Sequence, residues 1–339
     1  MKKIEKPEHT TVLLSEAVDE LVTDPDGFYI DGTFGRGGHT AELLSRLSDR
    51  GSVIAIDKDL DAIAAGQVRF AEEDRLTLVH ASFAELAEIV KQAGKHGEVS
   101  GVLLDLGVSS PQLDVAERGF SFLRDGPLDM RMDTSKGLSA AEWLASADEQ
   151  EIAKVIKEYG EERFARRMAT AIVRERAEKP IERTVQLAKI LADAHPAWER
   201  GRHPATKAFQ AIRIFVNKEI SELIYGLINA TKVLKKGGVL AVVTFHSLED
   251  KIVKYFLKSL SQNKSISRYT PQTEQKETLF NLNQKKPIVP SDLEIKENPP
   301  SRSAKLRYAI KKSDFFNFDT DIEEKFKNFL EIEKFGDKL

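Results

Sequence analysis

Cysteine is absent from the 339 residues of this chain. The protein therefore cannot form disulfide bonds, thiolate zinc sites or iron–sulfur clusters. Catalysis through a cysteine nucleophile is excluded as well. We predict no metal site.

Long apolar runs are also missing, and none approaches the ~20 residues that are needed to span a bilayer. The first six residues carry positive charge, but no apolar segment follows them, so a secretory signal is not predicted. We therefore expect a cytoplasmic protein that does not bind membranes. With 41% hydrophobic residues, a chain of this length can form about two domains with their own cores.

Charge is distributed unevenly, although the formal net charge is only −3. Residues 1–100 contain 11 basic and 19 acidic side chains, whereas residues 160–218 contain 13 basic and 7 acidic ones. A basic middle region is a candidate surface for anions, most simply for nucleic acid. The alternative is a solvated helical face, which is what most charge runs turn out to be.

Hydrophobic periodicity predicts an α/β fold. Short apolar runs that are typical of buried parallel strands occur at 28–31, 51–57, 76–80 and 102–106. Amphipathic helical patterns separate them, and this alternation predicts a doubly wound, Rossmann-like sheet. From about residue 113 only helical patterns occur, until a further strand pattern begins at residue 237. We therefore predict an all-helical domain inserted into the sheet domain.

The predicted sheet domain comprises residues 1–112 and 205–313, and the insert comprises residues 113–204. Residues 262–300 are rich in Gln, Asn, Lys, Ser and Pro, so we predict irregular chain there. The tail, residues 314–339, can form an amphipathic helix that packs on the rest of the protein. No chemistry is recognisable in the tail.

A glycine-rich stretch follows the first predicted strand and opens a helix. It contains Gly32, Gly35, Gly37 and Gly38. The order of strand, glycine loop and helix is the nucleotide-binding start of an open α/β sheet. We therefore expect the loop to bind a cofactor.

Two cofactor classes fit such a loop. A dinucleotide is one, because Asp57 ends the second predicted strand, where an acid binds ribose hydroxyls. However, the glycines do not match the G-x-G-x-x-G spacing, and Asp31, directly before the loop, would repel a pyrophosphate. S-adenosylmethionine, which combines adenosine with positive charge and has no phosphate, suits these carboxylates better. Acids at strand ends also serve as helix caps, which is the purely structural alternative.

Another carboxylate, Asp105, ends the fourth predicted strand, and Gln112 follows it. Both are expected at the carboxyl edge of the sheet, where ligands bind, although both can instead fix a turn. Methyl transfer to an amine releases a proton, so the site needs an acceptor. Asp105 is one candidate. His246, after the strand at 237–245, is the other, although helix capping is the favoured interpretation for a lone histidine there.

The lack of cysteine also bears on the methyl acceptor. Methylation at carbon 5 of a pyrimidine generally proceeds through a covalent cysteine adduct. A pyrimidine carbon is therefore disfavoured as the target, while a nitrogen or a ribose oxygen stays open.

Five motifs occur in order along the chain: DGTFGRGGH at 31–39, LDLGVSSPQLD at 104–114, RGFSF at 118–122, GPLDMRM at 126–132 and TFHSLED at 244–250. Together they resemble the MraW family of bacterial ribosomal RNA methyltransferases. The resemblance extends from about residue 9 to residue 311.

The resemblance implies S-adenosyl-L-methionine-dependent methylation of the exocyclic N4 of one cytidine in the decoding (P-site) region of 16S rRNA, within the small ribosomal subunit. It also implies a cofactor site that consists of Gly37, Gly38 and His39 at the methionine, Asp57 at the ribose, Phe83 at the adenine, and Asp105 and Gln112 closing the site.

Two further motifs are candidates for RNA contact. The first, residues 203–217, sets along one helical edge the polar residues Gln210, Arg213 and Asn217. The second, residues 159–167, begins a basic helix whose arginines would contact phosphate, unless they pair with the two neighbouring glutamates.

Two other functions remain open at this level. One is a nicotinamide-dinucleotide oxidoreductase, because strand, glycine loop and acid are shared with that class. The other is a non-catalytic RNA-binding assembly factor that retains the fold. The sequence is compatible with a monomer or a homodimer.

Overall fold

In the computed structural model the chain divides into two compact units. Unit 1 comprises Met1–Gly107 and Glu222–Glu323, and unit 2 comprises Val108–Ser221 and Glu324–Leu339. Within them the structure describes residues 11–197, 203–262 and 278–336. Much of the stretch predicted to be irregular therefore lies outside the described residues.

Seven strands form the sheet of unit 1: β1 (Phe28–Asp31), β2 (Ser52–Asp57), β3 (Leu76–His80), β4 (Val99–Asp105), β5 (Leu234–Thr244), β6 (Phe280–Asn281) and β7 (Lys305–Lys311). Their order across the sheet is β3-β2-β1-β4-β5-β7-β6. Strands β1 to β5 are parallel, whereas β7 pairs antiparallel with β5 and β6. The strand order reverses between β1 and β4, which is where open α/β sheets bind ligands.

The helices in chain order are α1 (Leu14–Leu21), α2 (Gly38–Arg46), α3 (Leu60–Arg69), α4 (Leu86–Gln92), α5 (Ser110–Asp114), α6 (Ala140–Ser146), α7 (Glu149–Gly160), α8 (Ala165–Glu178), α9 (Thr184–Ala194), α10 (Thr206–Val216), α11 (Glu219–Val233), α12 (Ser247–Ser261), α13 (Asp292–Glu297), α14 (Ile322–Lys325) and α15 (Lys327–Glu333). In the described part of the chain, no helix is both long enough and apolar enough to cross a membrane.

The doubly wound α/β prediction is confirmed for unit 1. Strand β4 is almost wholly buried, as expected for a parallel strand that is covered on both faces. Helix α1 packs its apolar side against β4 and β5. Two elements inside the stretch predicted to be irregular, β6 and α13, were not predicted. Helix α13 is short, and it is anchored because Glu294 accepts a hydrogen bond from the distant backbone N–H of Leu13 at 2.8 Å.

Unit 2 has a helical core. Helix α7 packs against α8 and α10, and Trp143 of α6 lies on Phe215 of α10, with ring centroids 4.4 Å apart. The predicted break in the long helix after residue 205 falls between α10 and α11, where Lys218 has a φ of +50°.

The unit boundaries differ from the predicted domains in three places. Residues 108–112, which we predicted as part of the sheet domain, begin unit 2. Helix α10, which we predicted as part of the sheet domain, belongs to unit 2 because its apolar side packs on α6 and α7. The chain end from Glu324 also belongs to unit 2, whereas the sequence treats it as a separate tail.

The last helix, α15, completes unit 2. It packs against α7, and the Tyr159 hydroxyl donates to the carbonyl of Phe329 at 2.8 Å. The buried carboxylate of Glu333 accepts hydrogen bonds from the backbone N–H groups of Ile220 at 3.1 Å and Ser221 at 3.2 Å. These N–H groups lie in the first turn of α11, where a helix offers them no internal partner.

We expect Glu333→Ala to lower the free energy of unfolding by about 1 to 3 kcal/mol, because it leaves buried donors without an acceptor. Urea denaturation measures this change. The matched control is Glu331→Ala, which removes an exposed glutamate of the same helix and should leave the midpoint nearly unchanged. Equal midpoints for the two variants would contradict a capping role for Glu333.

Candidate functional site

Asp31, the last residue of β1, directly precedes the glycine loop and hydrogen-bonds to it. Its side chain is fully buried. It accepts hydrogen bonds from the Thr33 backbone N–H at 3.1 Å and from the Thr40 hydroxyl at 2.7 Å. Burial raises the pKa of Asp31 to about 6, and the nearby charge of Asp57 adds to this effect. Asp31 thus shapes the loop.

Gly37 is the residue before α2, with a φ of +73°. A Cβ there would lie 2.8 Å from the ring of Phe34, so both backbone conformation and packing require glycine. Gly38 and His39 begin α2, so the helix starts directly after the glycine loop, as predicted.

Asp57 ends β2 and is held by two backbone donors. Its Oδ2 accepts from the Gly35 N–H at 2.7 Å, and its Oδ1 accepts from the Asp59 N–H at 2.8 Å. Burial raises its pKa. Because a carboxylate has about four acceptor positions, Asp57 keeps capacity for the hydroxyls of a ribose.

Asp105 ends β4 beside β1. Its Oδ2 lies 3.4 Å from Nδ1 of His39, and its Oδ1 is buried without a hydrogen-bond partner among the described residues. Burial raises the pKa of Asp105 well above its ordinary range, and the charges of Asp31 and Glu249 raise it further. Burial lowers the pKa of His39 to about 4, so the imidazole is neutral near pH 7. The uncompensated oxygen is suited to a ligand that donates a hydrogen bond or carries positive charge.

Phe83 lies beside the glycine loop at the start of a 3-10 turn that precedes α4. A Cβ on Gly32 would be 3.2 Å from the Phe83 Cβ. On its other side the Phe83 ring packs against Gly226 of α11, where an added Cβ would lie 2.5 Å from a ring carbon. Sequence reasoning missed Gly226, because a single glycine inside a helix gives no signal of what packs on it.

The seven predicted cofactor residues do not all lie in one unit. Gly37, Gly38, His39, Asp57, Phe83 and Asp105 belong to unit 1. Gln112 belongs to unit 2, where it is buried in the first turn of α5 and its Oε1 accepts from the Ser109 N–H at 3.0 Å. This is a capping contact, which is the structural alternative considered for Gln112.

His246 is the residue that caps α12. Its Nδ1 accepts from the Glu249 N–H at 3.4 Å, and the Glu249 carboxylate accepts in return from the N–H of Phe245 at 2.8 Å. The His246 Nε2 lies 3.1 Å from the same carboxylate. The histidine is therefore engaged in the helix cap, which makes Asp105 the stronger candidate for proton acceptor.

The predicted polar edge of α10 is involved in internal contacts. Arg213 forms a two-point ion pair with Glu219 at 2.8 Å. The Asn217 side chain accepts from the Met132 N–H and donates to the Met130 carbonyl, both at 2.7 Å. These two side chains hold unit 2 together, so we no longer interpret them as guides for RNA. The arginines of α8 differ, since Arg166 and Arg167 are exposed.

Comparison with known proteins gives a consistent result. The model of the MraW methylase family matches residues 6–312. A protein of Alteromonas mediterranea named ribosomal RNA small subunit methyltransferase H is 53% identical over 307 residues, which cover 89% of this chain and 97% of that protein.

Among solved structures, the chain is similar to an rRNA methylase from Streptococcus thermophilus (13% identity, TM-score 0.36, covering 91% of this chain and 99% of that one). It is also similar to NSun6 from Pyrococcus horikoshii with SFG (14% identity, TM-score 0.40, covering 92% and 56%). At TM-scores this low, neither likeness bears on the function.

We expect Asp31→Asn to change how stability depends on pH. The folded protein keeps a proton on Asp31 up to a pKa of about 6, whereas the unfolded chain loses it near 3.8. Asp31 therefore costs stability as pH rises through this window, by up to about 3 kcal/mol once the pH exceeds 6.

Thermal unfolding at pH 4 and pH 7 measures this effect. Relative to the wild type, Asp31→Asn should gain stability between the two pH values. The matched control is the exposed Asp61→Asn on α3. If the difference in stability between the wild type and Asp31→Asn is the same at both pH values, the raised pKa of Asp31 is ruled out.

Proposed function

This chain belongs to the MraW methylase family, and on that basis we propose that it transfers the methyl group of S-adenosylmethionine to the exocyclic N4 of a cytidine in the decoding region of 16S rRNA. The observation that carries the proposal is the family match, which spans nearly the whole chain. The 53% identical relative, whose name specifies the small subunit of the ribosome, supports the choice of RNA.

The cofactor pocket that we propose lies at the carboxyl ends of β1, β2 and β4. S-adenosylmethionine supplies an electrophilic methyl group when it is bound. Asp57, with unused acceptor capacity, would hold the ribose, and Phe83 would pack on the adenine. Gly37, Gly38 and His39 would line the methionine part. The orphan Oδ1 of Asp105 fits a ligand that is rich in positive charge and N–H donors.

Asp105 is the residue we assign as acceptor of the amine proton. In the protein alone its pKa is raised by burial and by neighbouring acids. Positive charge on a bound cofactor would lower this pKa, because an opposite charge nearby favours the carboxylate. The carboxylate would then be available to take a proton from the amine at Oδ1. Orientation of the cytosine against the cofactor supplies the rest of the rate.

We assign methyl transfer to unit 1 and RNA binding to unit 2, with Arg166 and Arg167 as candidate phosphate contacts. The target base must leave its stack to reach the cofactor. The proposal implies a cytoplasmic enzyme, since ribosomal subunits are its substrate.

Labelled S-adenosylmethionine and small subunits from a strain that lacks this gene provide the test. We expect label in 16S rRNA at the N4 of one cytidine. No label, or label on carbon 5, would refute the proposal. Tight binding of NAD without binding of S-adenosylmethionine would support the oxidoreductase alternative instead.

We expect Asp105→Asn to reduce kcat by about 100- to 10,000-fold, the usual contribution of an acid–base group. Cofactor affinity, measured by titration calorimetry, should fall by a smaller factor, because the variant also loses the charge of Asp105 beside the cofactor. His246→Asn is the comparison variant, and it should affect thermal stability more than kcat. If the Asp105 variant complements a deletion strain and methylates normally, a non-catalytic role becomes the better account.

We expect Gly226→Ala to weaken cofactor binding about tenfold, because the new Cβ displaces the Phe83 ring and overpacking costs ~1 to 3 kcal/mol. In the background Phe83→Leu, whose side chain is smaller, the same substitution should have little effect. This double-mutant cycle isolates the contact from the general effect of alanine in a helix. Additive effects would show that Phe83 and Gly226 do not act together on the cofactor.

A further inference from the structure

A small cavity in unit 2 joins the two motifs of the sequence that the methyl-transfer site leaves unused, residues 159–167 and 203–217. It has a volume of about 110 Å³. It lies where the end of α7 meets the start of α10, and Lys207 donates from Nζ to the carbonyl of Glu161 at 3.3 Å. Because pockets for drug-sized ligands begin at ~300 Å³, this cavity suits one flat group. We call it the Glu162 cavity.

Positively charged donors lie on one part of the lining. Lys207 and Arg163 both border the cavity. The Arg163 guanidinium lies 4.5 Å from the centre of the Phe164 ring, which restrains the side chain. These groups are suited to acceptor atoms of a ligand.

Two histidines add ring nitrogens to the lining. His195 accepts on Nδ1 from the Ala197 N–H, and His203 accepts on Nδ1 from the Ala205 N–H, both at 3.2 Å. In the neutral imidazole the proton then lies on Nε2 in both rings. Ring packing restrains the rings as well, since His203 lies 4.6 Å from Phe122.

An acceptor completes the lining. The Glu162 side chain is only 4% exposed. Its Oε1 accepts from the Phe164 N–H at 2.9 Å and lies 3.7 Å from Nε2 of His195. A carboxylate with about four acceptor positions retains capacity for further donors, and a buried carboxylate is costly unless donors satisfy it. The cavity thus offers both donors and an acceptor.

This mixture distinguishes between possible RNA groups. A phosphate has only acceptors, so it would face the Glu162 charge unfavourably. A nucleobase has donors and acceptors on the same edge, and proteins that bind single-stranded RNA read such edges by hydrogen bonding. Guanine alone places two donors, N1–H and the 2-amino group, side by side for one carboxylate. Its O6 and N7 are the usual acceptors for arginine and lysine.

We propose that the Glu162 cavity binds an unstacked guanine of the RNA substrate, with Glu162 accepting from N1–H and the 2-amino group, Lys207 donating to N7 and Arg163 donating to O6. This proposal rests on the proposed function for the identity of the substrate as RNA. It adds a site that recognises a base other than the methylated cytidine.

The test uses the full-length protein and fluorescence anisotropy with three ten-nucleotide oligoadenylates, which carry one central guanine, inosine or 7-deazaguanine. Inosine lacks the 2-amino donor, and 7-deazaguanine lacks the N7 acceptor. We expect the guanine strand to bind about tenfold more tightly than the inosine strand, as for one good base contact. Glu162→Gln should remove this preference.

Glu158→Gln, at a partly buried position on α7 that is more accessible than Glu162, is the matched control and should keep the preference. Lys207→Met, at a more accessible position, should lower affinity for the guanine strand to that for the 7-deazaguanine strand. Thermal unfolding and cofactor affinity show whether each variant is folded. If Glu162→Gln fails to fold, the Lys207→Met comparison decides.

A wild type without guanine preference, at any affinity, overturns the proposal. So does a preference that survives in Glu162→Gln. Equal binding of all three strands, with uniform weakening by Lys207→Met, would show a phosphate site instead. Labelling of small subunits by the wild type is scored separately. Its failure would refute the proposed function, whereas labelling without guanine preference would refute only this inference.

Discussion

Three buried carboxylates lie at the carboxyl edge of the sheet. Burying these groups costs free energy, and the arrangement of unit 1 depends on how that cost is offset. Asp31, Asp57 and Asp105 end neighbouring strands, where burial raises the pKa of each. The fold satisfies the first two with backbone N–H groups and a threonine hydroxyl. It leaves an oxygen of the third without a partner among the described residues. A cationic ligand would relieve the most electrostatic strain at that position, which links the stability of the fold to the charge of the cofactor.

Much of unit 1 could be predicted, because its strands are continuous apolar runs that end on acids. Those runs predict parallel strands and place Asp57 and Asp105 at the carboxyl edge of the sheet. The antiparallel pairing of β7 with β5 could not be predicted, because pairing between distant segments has no local pattern. Phe83 illustrates another limit. Its packing partner Gly226 lies more than a hundred positions away and leaves no periodic signal in the sequence.

Polar residues of the insert were harder to interpret. Arg213 and Asn217 have the spacing of an exposed edge, yet Glu219 and two backbone groups of the 130–132 segment engage them. Helical spacing shows which residues share a side, but only the tertiary structure shows whether solvent or another segment covers that side. Glu162 shows the converse. The sequence offers it only as an alternative partner for nearby arginines, whereas in the structure its buried carboxylate accepts from the Phe164 N–H and lies 3.7 Å from Nε2 of His195.

The cap formed by Glu333 also bears on biosynthesis. Unit 2 consists of Val108–Ser221 and a second segment from Glu324, so the carboxylate that satisfies the start of α11 is translated 113 positions after Ile220. Domains generally fold as units while the chain emerges. The start of α11 therefore lacks this acceptor until Glu333 has been translated. A truncated translation product would possess every residue of the proposed methyl-transfer site and still lack a finished unit 2.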